Sequence, residues 1–405
     1  MRMPLTPLSE ALEIILSTVD SAPQAEQVRL HDALNRYVAE SVYAPRAVPP
    51  ADNSAMDGYA VNSNDVPGLL RVSQRIPAGH LKAMLEPGTA ARIFTGAEIP
   101  AGADAVIPQE EAEETEAGTR LPSVNIGQHI RRRGDDIQPG DCLVERGQCL
   151  RPQDVGLLAS VGIDGVLVYR PLRVAILTTG DELRDPGEGD LEPGQIFNSN
   201  RFVLAHQIRA LGLVVTEDRH LPDIPTEIAS ALQSAAENAD CIVTAGGVSV
   251  GEEDHVRGEI EKQGSLSIWR LAIKPGKPLA FGEVQGTPVF GLPGNPVSAW
   301  ITFSLVARPW LVKRQGGVLP PAPRFPVQAR FAIERSGSRE EFLRVRLVGQ
   351  GLTLGAELTG SQSSGVLTSL RQADGLAVLP PGTTVAPGDW LEVIPLSALW
   401  QPGFG

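Results

Sequence analysis

The chain has 405 residues, 42% of them hydrophobic and 20% charged, with a formal net charge of -13. That length exceeds what one ordinary core organises and predicts roughly two to four domains, while 42 glycines and 34 prolines predict many turns and short strands. The acidic balance excludes broad electrostatic attraction to nucleic acid or to an anionic membrane, so an anionic ligand here needs locally placed Lys, Arg or backbone N–H groups.

The N-terminal stretch has no uninterrupted apolar core followed by a cleavage site, and no run is long enough to span a bilayer. A cytoplasmic protein is expected. Leu8, Ala11, Leu12, Ile15, Leu16 and Val19 fall on one face of an amphipathic helix, with Thr6 as its cap and Pro7 in its first turn. A second helical pattern runs from Asp32 to about Ser41 and is stopped by Pro45, Pro49 and Pro50. Short β-like runs at 58–61, 70–73, 90–94 and 105–108 then alternate with Gly/Pro turns, and 110–116 forms an acidic, hairpin-like excursion. Helix returns at 153–161. These patterns predict a β-rich domain over 45–138, inserted into a discontinuous N-terminal domain made of 1–44 and 139–170.

From Arg173 the pattern becomes a strand–helix alternation. Strands are predicted at 174–178, 213–216 and 241–244, with Asn198 and Asn200 offering caps for a helix through Leu211 and Thr226 capping another over 227–238. Such alternation implies a parallel sheet with helices on both faces. A hairpin of 279–282 against 289–292 and an apolar helix from Pro296 to about Val312 complete a domain over 171–316. Residues 313–326 read as a linker, and the alternating strands at 342–348, 376–379 and 390–394 as a small antiparallel barrel or sandwich within 317–405. Cys142, Cys149 and Cys241 form no CxxC pair and fit a reducing compartment, with Cys241 in the core.

Four stretches carry candidate chemistry, each with a plainer competitor. In Thr244-Ala-Gly-Gly-Val-Ser-Val-Gly-Glu-Glu-Asp254, Gly246 and Gly247 let the backbone approach a bulky ligand, and N–H groups around Ser249 form an anion-binding nest. Glu252, Glu253 and Asp254 then stand where a metal or a hydroxyl can be held; a solvated turn with an acidic helix start fits the same residues. Thr178-Thr-Gly-Asp-Glu182 ends the first strand, so both stretches fall at the carboxyl edge of one sheet, where ligands bind. The competing role for Asp181 and Glu182 is to complement a helix dipole. Lys274-Pro-Gly-Lys-Pro278 is either a rigid turn with two exposed lysines or a pair of ammonium groups held to neutralise phosphates or an oxyanion. Gly291-Leu-Pro-Gly-Asn-Pro296 leads into a helix whose first amides receive an anion, or whose Asn295 simply caps it. GxxxxGK[ST], strand-linked GxGxxG and GxSxG motifs are absent, and the six histidines lack ligand spacing.

Asp52-Asn-Ser-Ala-Met-Asp-Gly-Tyr-Ala60, Phe94-Thr-Gly-Ala97, Gly102-Ala-Asp-Ala-Val106, residues 131–136, 178–183, 246–251, 274–278 and 291–299 occur in this order. The ordered set closely resembles the MoeA family of molybdenum cofactor biosynthesis, which includes the E domain of gephyrin. The likeness covers nearly the whole chain and is weakest after residue 313. It implies an α/β plus β fold: a MogA-like three-layer α/β domain, a β-rich second domain and a C-terminal β-barrel-like domain. It also implies a molybdopterin molybdenumtransferase, which takes adenylylated molybdopterin, hydrolyses its pyrophosphate bond with Mg²⁺, releases AMP and inserts molybdate at the dithiolene. The family works as an elongated homodimer of four-domain subunits, between an upstream adenylyltransferase and downstream molybdoenzyme maturation proteins.

Carried over by motif, the resemblance makes Glu182, Asp223 and Asp254 the metal-binding acids. Asp57, Thr95, Asp136, Glu182, Lys274 and Lys277 become the catalytic set, the first three contributed across the dimer. Thr179, Gly180, Asp181, Gly246, Gly247, Ser249, Pro293, Asn295 and Ser364 become substrate contacts, with Ser363 the alternative to Ser364. At Gly251-Glu-Glu-Asp-His255 the chain departs from the Gly-Asp-Tyr-Asp of many relatives: Asp254 aligns, while Glu252 and Glu253 do not. Competing functions are the preceding adenylylation, whose family shares the α/β domain, and a non-catalytic pterin-binding scaffold or carrier. The extra domains favour insertion.

Overall fold

The structure, a computed structural model, describes residues 5–247 and 255–400, apart from the side chains of 268, 269 and 352. The chain divides into two compact units, a smaller one of Ser41–Glu145 with Pro152–Val166 and a larger one of Met1–Glu40, Arg146–Arg151 and Leu167–Gly405.

The larger unit opens with α1 (Leu8–Ser17), which buries Ala11 and Ile15 and packs Leu8, Leu12 and Leu16 against the same core. Thr6 is not its cap. It lies in a two-residue strand, Leu5–Thr6, paired in parallel with Arg270 and Leu271, and Pro7 takes the N-cap position with no side-chain hydrogen bond. The helix expected from Asp32 is also not formed. Leu30–Asp32 make a single 3₁₀ turn, Asn35 has φ 61, and Tyr37 and Val38 bridge to Cys149 and Val168. Backbone partners far along the chain outcompete a weak local propensity there.

The smaller unit is built on a six-stranded sheet of β1 (Gly58–Val61), β2 (Gly68–Ile76), β3 (Thr89–Ile93), β4 (Ala105–Pro108), β5 (Glu113–Thr115) and β6 (Gly118–Leu121), in the order β4-β1-β3-β2-β6-β5. Strands β2 and β3 run parallel; the other neighbours are antiparallel. Successive side chains alternate between two small cores, Tyr59, Val61, Ala90 and Ile107 on one face and Ala60, Ile76, Ala91 and Ile93 on the other. A Cβ on Gly58 would stand 2.0 Å from the Ile107 carbonyl oxygen, so only glycine lets β1 meet β4. Helix α2 (Pro152–Ser160) matches the helix expected from the sequence.

The α/β region of the larger unit comprises β7 (Arg173–Thr179), α3 (Ser199–Ala210), β8 (Val214–Leu221), α4 (Pro225–Asn238), β9 (Cys241–Ala245), α5 (His255–Gln263), β10 (Gly264–Leu271), β11 (Pro278–Val284) and β12 (Thr287–Leu292). With Leu5–Thr6 these strands form one seven-stranded sheet, in the order Leu5–Thr6, β10, β11, β12, β9, β7, β8. Strands β12, β9, β7 and β8 are parallel, and β10 and β11 add an antiparallel edge. Val174, Ile176, Cys241, Val243 and Phe290 face α1, α3 and the helix after β12, while Ala175, Leu177, Ile242 and Val289 face α4 and α5. Two apolar faces require two covering layers, hence three layers in all.

Helix α4 starts at Pro225 with Ile224 as N-cap, so Thr226 sits inside the first turn and does not cap it. Proline in first position presets φ and has no N–H to satisfy. The apolar helix runs as α6 (Pro296–Thr302), a π-helical segment at Phe303–Ala307 and α7 (Arg308–Arg314). Pro309 has no N–H for a carbonyl one turn back, which accounts for the widened turn before it. The C-terminal strands β13 (Phe325–Ala329), β14 (Glu340–Val348), β15 (Gly355–Leu358), β16 (Gly375–Leu379) and β17 (Trp390–Pro395) close into a five-stranded barrel, β14-β15-β13-β17-β16 and back to β14. Val327, Leu343, Val345, Ala377 and Val393 fill it. Among the described residues no helix is long and apolar enough to cross a membrane.

Candidate active site

Because β7, β9 and β12 are parallel, the segments that follow them emerge at one edge of the sheet. The connection leaving β7 runs through α3 to β8 on one side, and that leaving β9 runs through α5 to β10 on the other, so a crevice opens between the carboxyl ends of β7 and β9. Gly180 has φ 143, and a Cβ there would stand 2.4 Å from Glu182 Oε2; glycine makes room for that carboxylate. Glu182 itself makes no side-chain hydrogen bond or ion pair among the described residues. The Asp181 N–H donates to Asp223 Oδ2 at 3.2 Å, and the Asp223 N–H returns a bond to Asp181 Oδ1 at 3.0 Å. Burial pushes the Asp223 carboxyl above its ordinary value. The Asp181 and Glu182 charges add to that rise, while the Asp181 N–H and His255 oppose it.

The glycine pair presses on the same strand end. At Gly246 (φ 96) a Cβ would lie 2.7 Å from the Thr179 carbonyl oxygen, and at Gly247 (φ 63) it would lie 2.6 Å from Val256 Cγ2 and 2.9 Å from Thr179 Oγ1. The Gly246 N–H donates to Leu292 O at 3.3 Å, and Asn200 Nδ2 donates to Gly294 O at 2.6 Å, fixing the turn that holds Pro293. Asn295 stands at the N-cap of α6 without a capping side-chain bond, so plain capping is not its role. The Val297 N–H donates to Ser364 O at 3.0 Å, which brings the Ser361–Gly365 loop to the start of α6. Thr179 Oγ1 and Asn200 Oδ1 are buried with no hydrogen-bond partner among the described residues, a deficit that a polar ligand relieves.

Lys274 Nζ donates to Glu341 Oε2 at 3.1 Å, and that glutamate is only 7% exposed. The turn between Lys274 and Lys277 is tight: the Lys277 carbonyl accepts the Leu271 N–H at 2.7 Å, and a Cβ on Gly276 would lie 2.5 Å from Thr302 Oγ1. Ser249 and Asp254 lie outside the described residues. Among those described, no three His, Cys, Asp or Glu side chains are placed to hold a metal by themselves.

Several supporting residues carry no sequence motif. Arg201 donates from Nε to Asp218 Oδ1 at 2.6 Å and pairs through Nη1 with Asp185, just beyond the Glu182 loop. Asn198 caps α3 as expected and also donates to Thr178 Oγ1 at 2.8 Å, while the Ile196 N–H donates to Glu182 O at 2.8 Å. Glu341, Arg201 and Asp185 are ordinary charged residues in sequence, and only the fold gives them their partners.

The smaller unit carries a second group. The Thr95 N–H and hydroxyl both donate to Asp57 Oδ1, each at 2.7 Å, and these bonds hold the exposed Asp57 carboxyl below its ordinary value. Asp52 accepts from the Arg133 N–H at 2.9 Å and from Arg132 Nη1 at 2.6 Å, so this arginine run is partly a structural clamp. Asp136 is exposed, and its N–H donates to Val48 O at 3.0 Å.

Residues 6–162 match the profile of the MoeA N-terminal region (domain I and II), 175–313 that of a probable molybdopterin binding domain, and 326–396 that of the MoeA C-terminal region (domain IV). The chain belongs to the MoeA family. A protein of Haemophilus influenzae named molybdopterin molybdenumtransferase is 40% identical over 345 residues, 83% of this chain and 85% of the relative. Molybdopterin molybdenumtransferase 2 of Mycobacterium tuberculosis is 35% identical over 385 residues, covering 90% and 94%. Two crystal structures of molybdopterin biosynthesis MoeA protein from Pyrococcus horikoshii superpose on it. One has a TM-score of 0.82 at 28% identity, covering 97% of this chain and 100% of the other; the second has 0.76 at 32%, covering 97% and 99%. The MoeA fold is therefore α/β plus β, with a MogA-like domain and a closed five-stranded barrel in the C-terminal region.

Proposed function

We propose that this MoeA chain is a molybdopterin molybdenumtransferase that takes adenylylated molybdopterin, cleaves its pyrophosphate bond with release of AMP, and leaves molybdate inserted at the dithiolene. The observation that carries this reading is the acidic group Asp181, Glu182 and Asp223 beside the buried, unpartnered Thr179 hydroxyl and the flush Gly246–Gly247 turn. Repulsion among these carboxylates suits a cation, and their hard oxygens suit Mg²⁺. Glu182 and Asp223, with Asp254, would hold it, and when bound it supplies charge neutralisation at the pyrophosphate. Thr179, Asn295 and the glycine amides orient the substrate, with Gly180, Pro293 and Ser364 lining its bed. Lys274 and Lys277 offset anionic charge that grows during transfer.

Asp57, Thr95 and Asp136 belong to the same reaction through the homodimer that the family resemblance implies. The four-domain partition with boundaries near 44, 138, 170 and 316, cytoplasmic location, and a place beside an upstream adenylyltransferase and downstream molybdoenzyme maturation proteins are part of the proposal. The test is AMP release from adenylylated molybdopterin with Mg²⁺, with and without molybdate. Molybdate-stimulated release with a molybdenum-loaded product is expected, and Asp57→Ala and Glu182→Ala should each abolish it while leaving the fold intact. Tight pterin binding without release by the wild type would replace the insertase with a carrier.

A further inference from the structure

Arg75 of β2 and Arg92 of β3 are direct register partners on neighbouring strands. Alternation along the strands puts their side chains on the face opposite Ile76 and Ile93, the face that carries Tyr59. The two guanidinium carbons lie 4.5 and 4.6 Å from the centroid of the Phe94 ring, and that of Arg92 lies 5.3 Å from the Tyr59 ring. Arg92 donates to Gly58 O at 2.9 Å, to Ile93 O at 3.0 Å and to the Gln109 side chain, all neutral acceptors. Arg75 is exposed and, among the described residues, makes no hydrogen bond or ion pair.

Other arginines of this unit behave differently: Arg71 pairs with Glu86, Arg120 with Glu113 and Arg132 with Asp52. Like charges opposite one another on adjacent strands repel. The aromatic faces offset part of that repulsion but neutralise none of the charge. Among the described residues neither guanidinium is held in an ion pair, in a chain of net charge -13, and Phe94, which both contact, precedes the Thr95 that holds Asp57. Asp57 is near enough for the Arg92 charge to help lower its carboxyl, after the two Thr95 bonds, without forming an ion pair with it.

We propose that Arg75 and Arg92, both held against Phe94, form a binding site for a phosphoryl oxyanion beside the Asp57–Thr95 pair. The Phe94 contact holds the Arg75 guanidinium in place, and with no hydrogen bond of its own among the described residues its N–H fork can take two phosphoryl oxygens at once. In the insertase reading, on which the identity of the physiological anion rests, the ligand is a phosphoryl group of the adenylylated substrate or of the AMP leaving it.

The test uses the full chain and follows arginine Nε–Hε resonances, assigned with Arg75→Gln, during titration with inorganic pyrophosphate and with AMP, against chloride at matched ionic strength. Saturable shifts of the Arg75 and Arg92 signals are expected, with affinity weakened at least tenfold in Arg75→Gln and unchanged in Arg71→Gln. Arg75→Lys, which keeps the charge and loses the fork, should fall between. A stronger response to AMP assigns the site to the nucleotide phosphate; a stronger response to pyrophosphate assigns it to the bridging group. Signals that do not move, or that move equally with chloride, overturn the proposal. That failure is separable from failure of the insertase reading, which shows as absent AMP release by the wild type.

Discussion

Replacing Arg201 with alanine tests how the loop bearing Glu182 is held. The Arg201, Asp185 and Asp218 side chains are 24%, 16% and 23% exposed, and one guanidinium serves both acids. Asp218 lies on β8, whereas Asp185 follows Leu183–Arg184, which pair with Ile196–Phe197. The arginine thus ties the loop leaving β7 to the neighbouring strand. Its removal leaves two mostly buried carboxylates without a counter-charge. Breaking a fully buried pair costs about 3–5 kcal/mol, and the water that still reaches these groups reduces the expected cost to about 2–3 kcal/mol.

Urea denaturation of wild type, Arg201→Ala, Asp218→Asn and the double variant measures that cost and closes a cycle. The coupling between the two positions should be about 1–2 kcal/mol. Catalytic turnover should fall by about 10–100-fold with a smaller change in KM, because the loop then samples positions in which Glu182 is displaced by an ångström or more. Arg201→Lys should restore part of both. A stability change below about 0.5 kcal/mol, the range of an exposed pair, would refute the reasoning.

Three further outcomes follow from other parts of the molecule. Asp240 accepts from Arg170 at 2.8 and 3.0 Å and from the Arg173 N–H at 2.8 Å. Burial alone would raise its carboxyl, but these bonds hold it far below the usual carboxylate range. Its folded pKa lies below the unfolded one, so its stabilisation is present above about pH 4 and lost as pH falls below that; Asp240→Asn should flatten the decline of stability between about pH 4 and pH 2, and an unchanged slope would remove Asp240 as the acid-labile anchor. Gly58→Ala drives a Cβ to 2.0 Å from the Ile107 carbonyl oxygen and should cost about 3 kcal/mol or more; a thermal melt matching wild type would mean that β1 and β4 can separate freely. Asp223 is raised, so its ionised form opposes folding above the folded pKa and that penalty is relieved on acidification. Asp223→Asn should accordingly keep or raise Tm at pH 7 in Mg²⁺-free buffer and end AMP release when Mg²⁺ is supplied, and a lowered Tm would assign Asp223 to the scaffold.

What could be read from the sequence was mainly what the backbone demands. Strands β7 and β9, the turn at Gly246–Gly247 and the cap at Asn198 announce themselves because buried parallel strands need apolar runs, left-handed turns favour glycine, and a helix start favours a side-chain acceptor. The failures at 32–41, Thr6 and Thr226 have the same origin: a short helical pattern, or a Ser/Thr-type residue near a helix start, is permissive, and tertiary pairing or a proline in first position decides. Charged pairs are a different matter. Nothing in the spacing of 185, 201 and 218, or of 274 and 341, selects one partner over the other acids and bases nearby, because the choice is made by sheet register and barrel closure. The residues proposed to touch substrate sit on segments whose backbone is constrained and therefore legible. Those that hold the segments in place are ordinary surface-type residues, and only the fold gives them their roles.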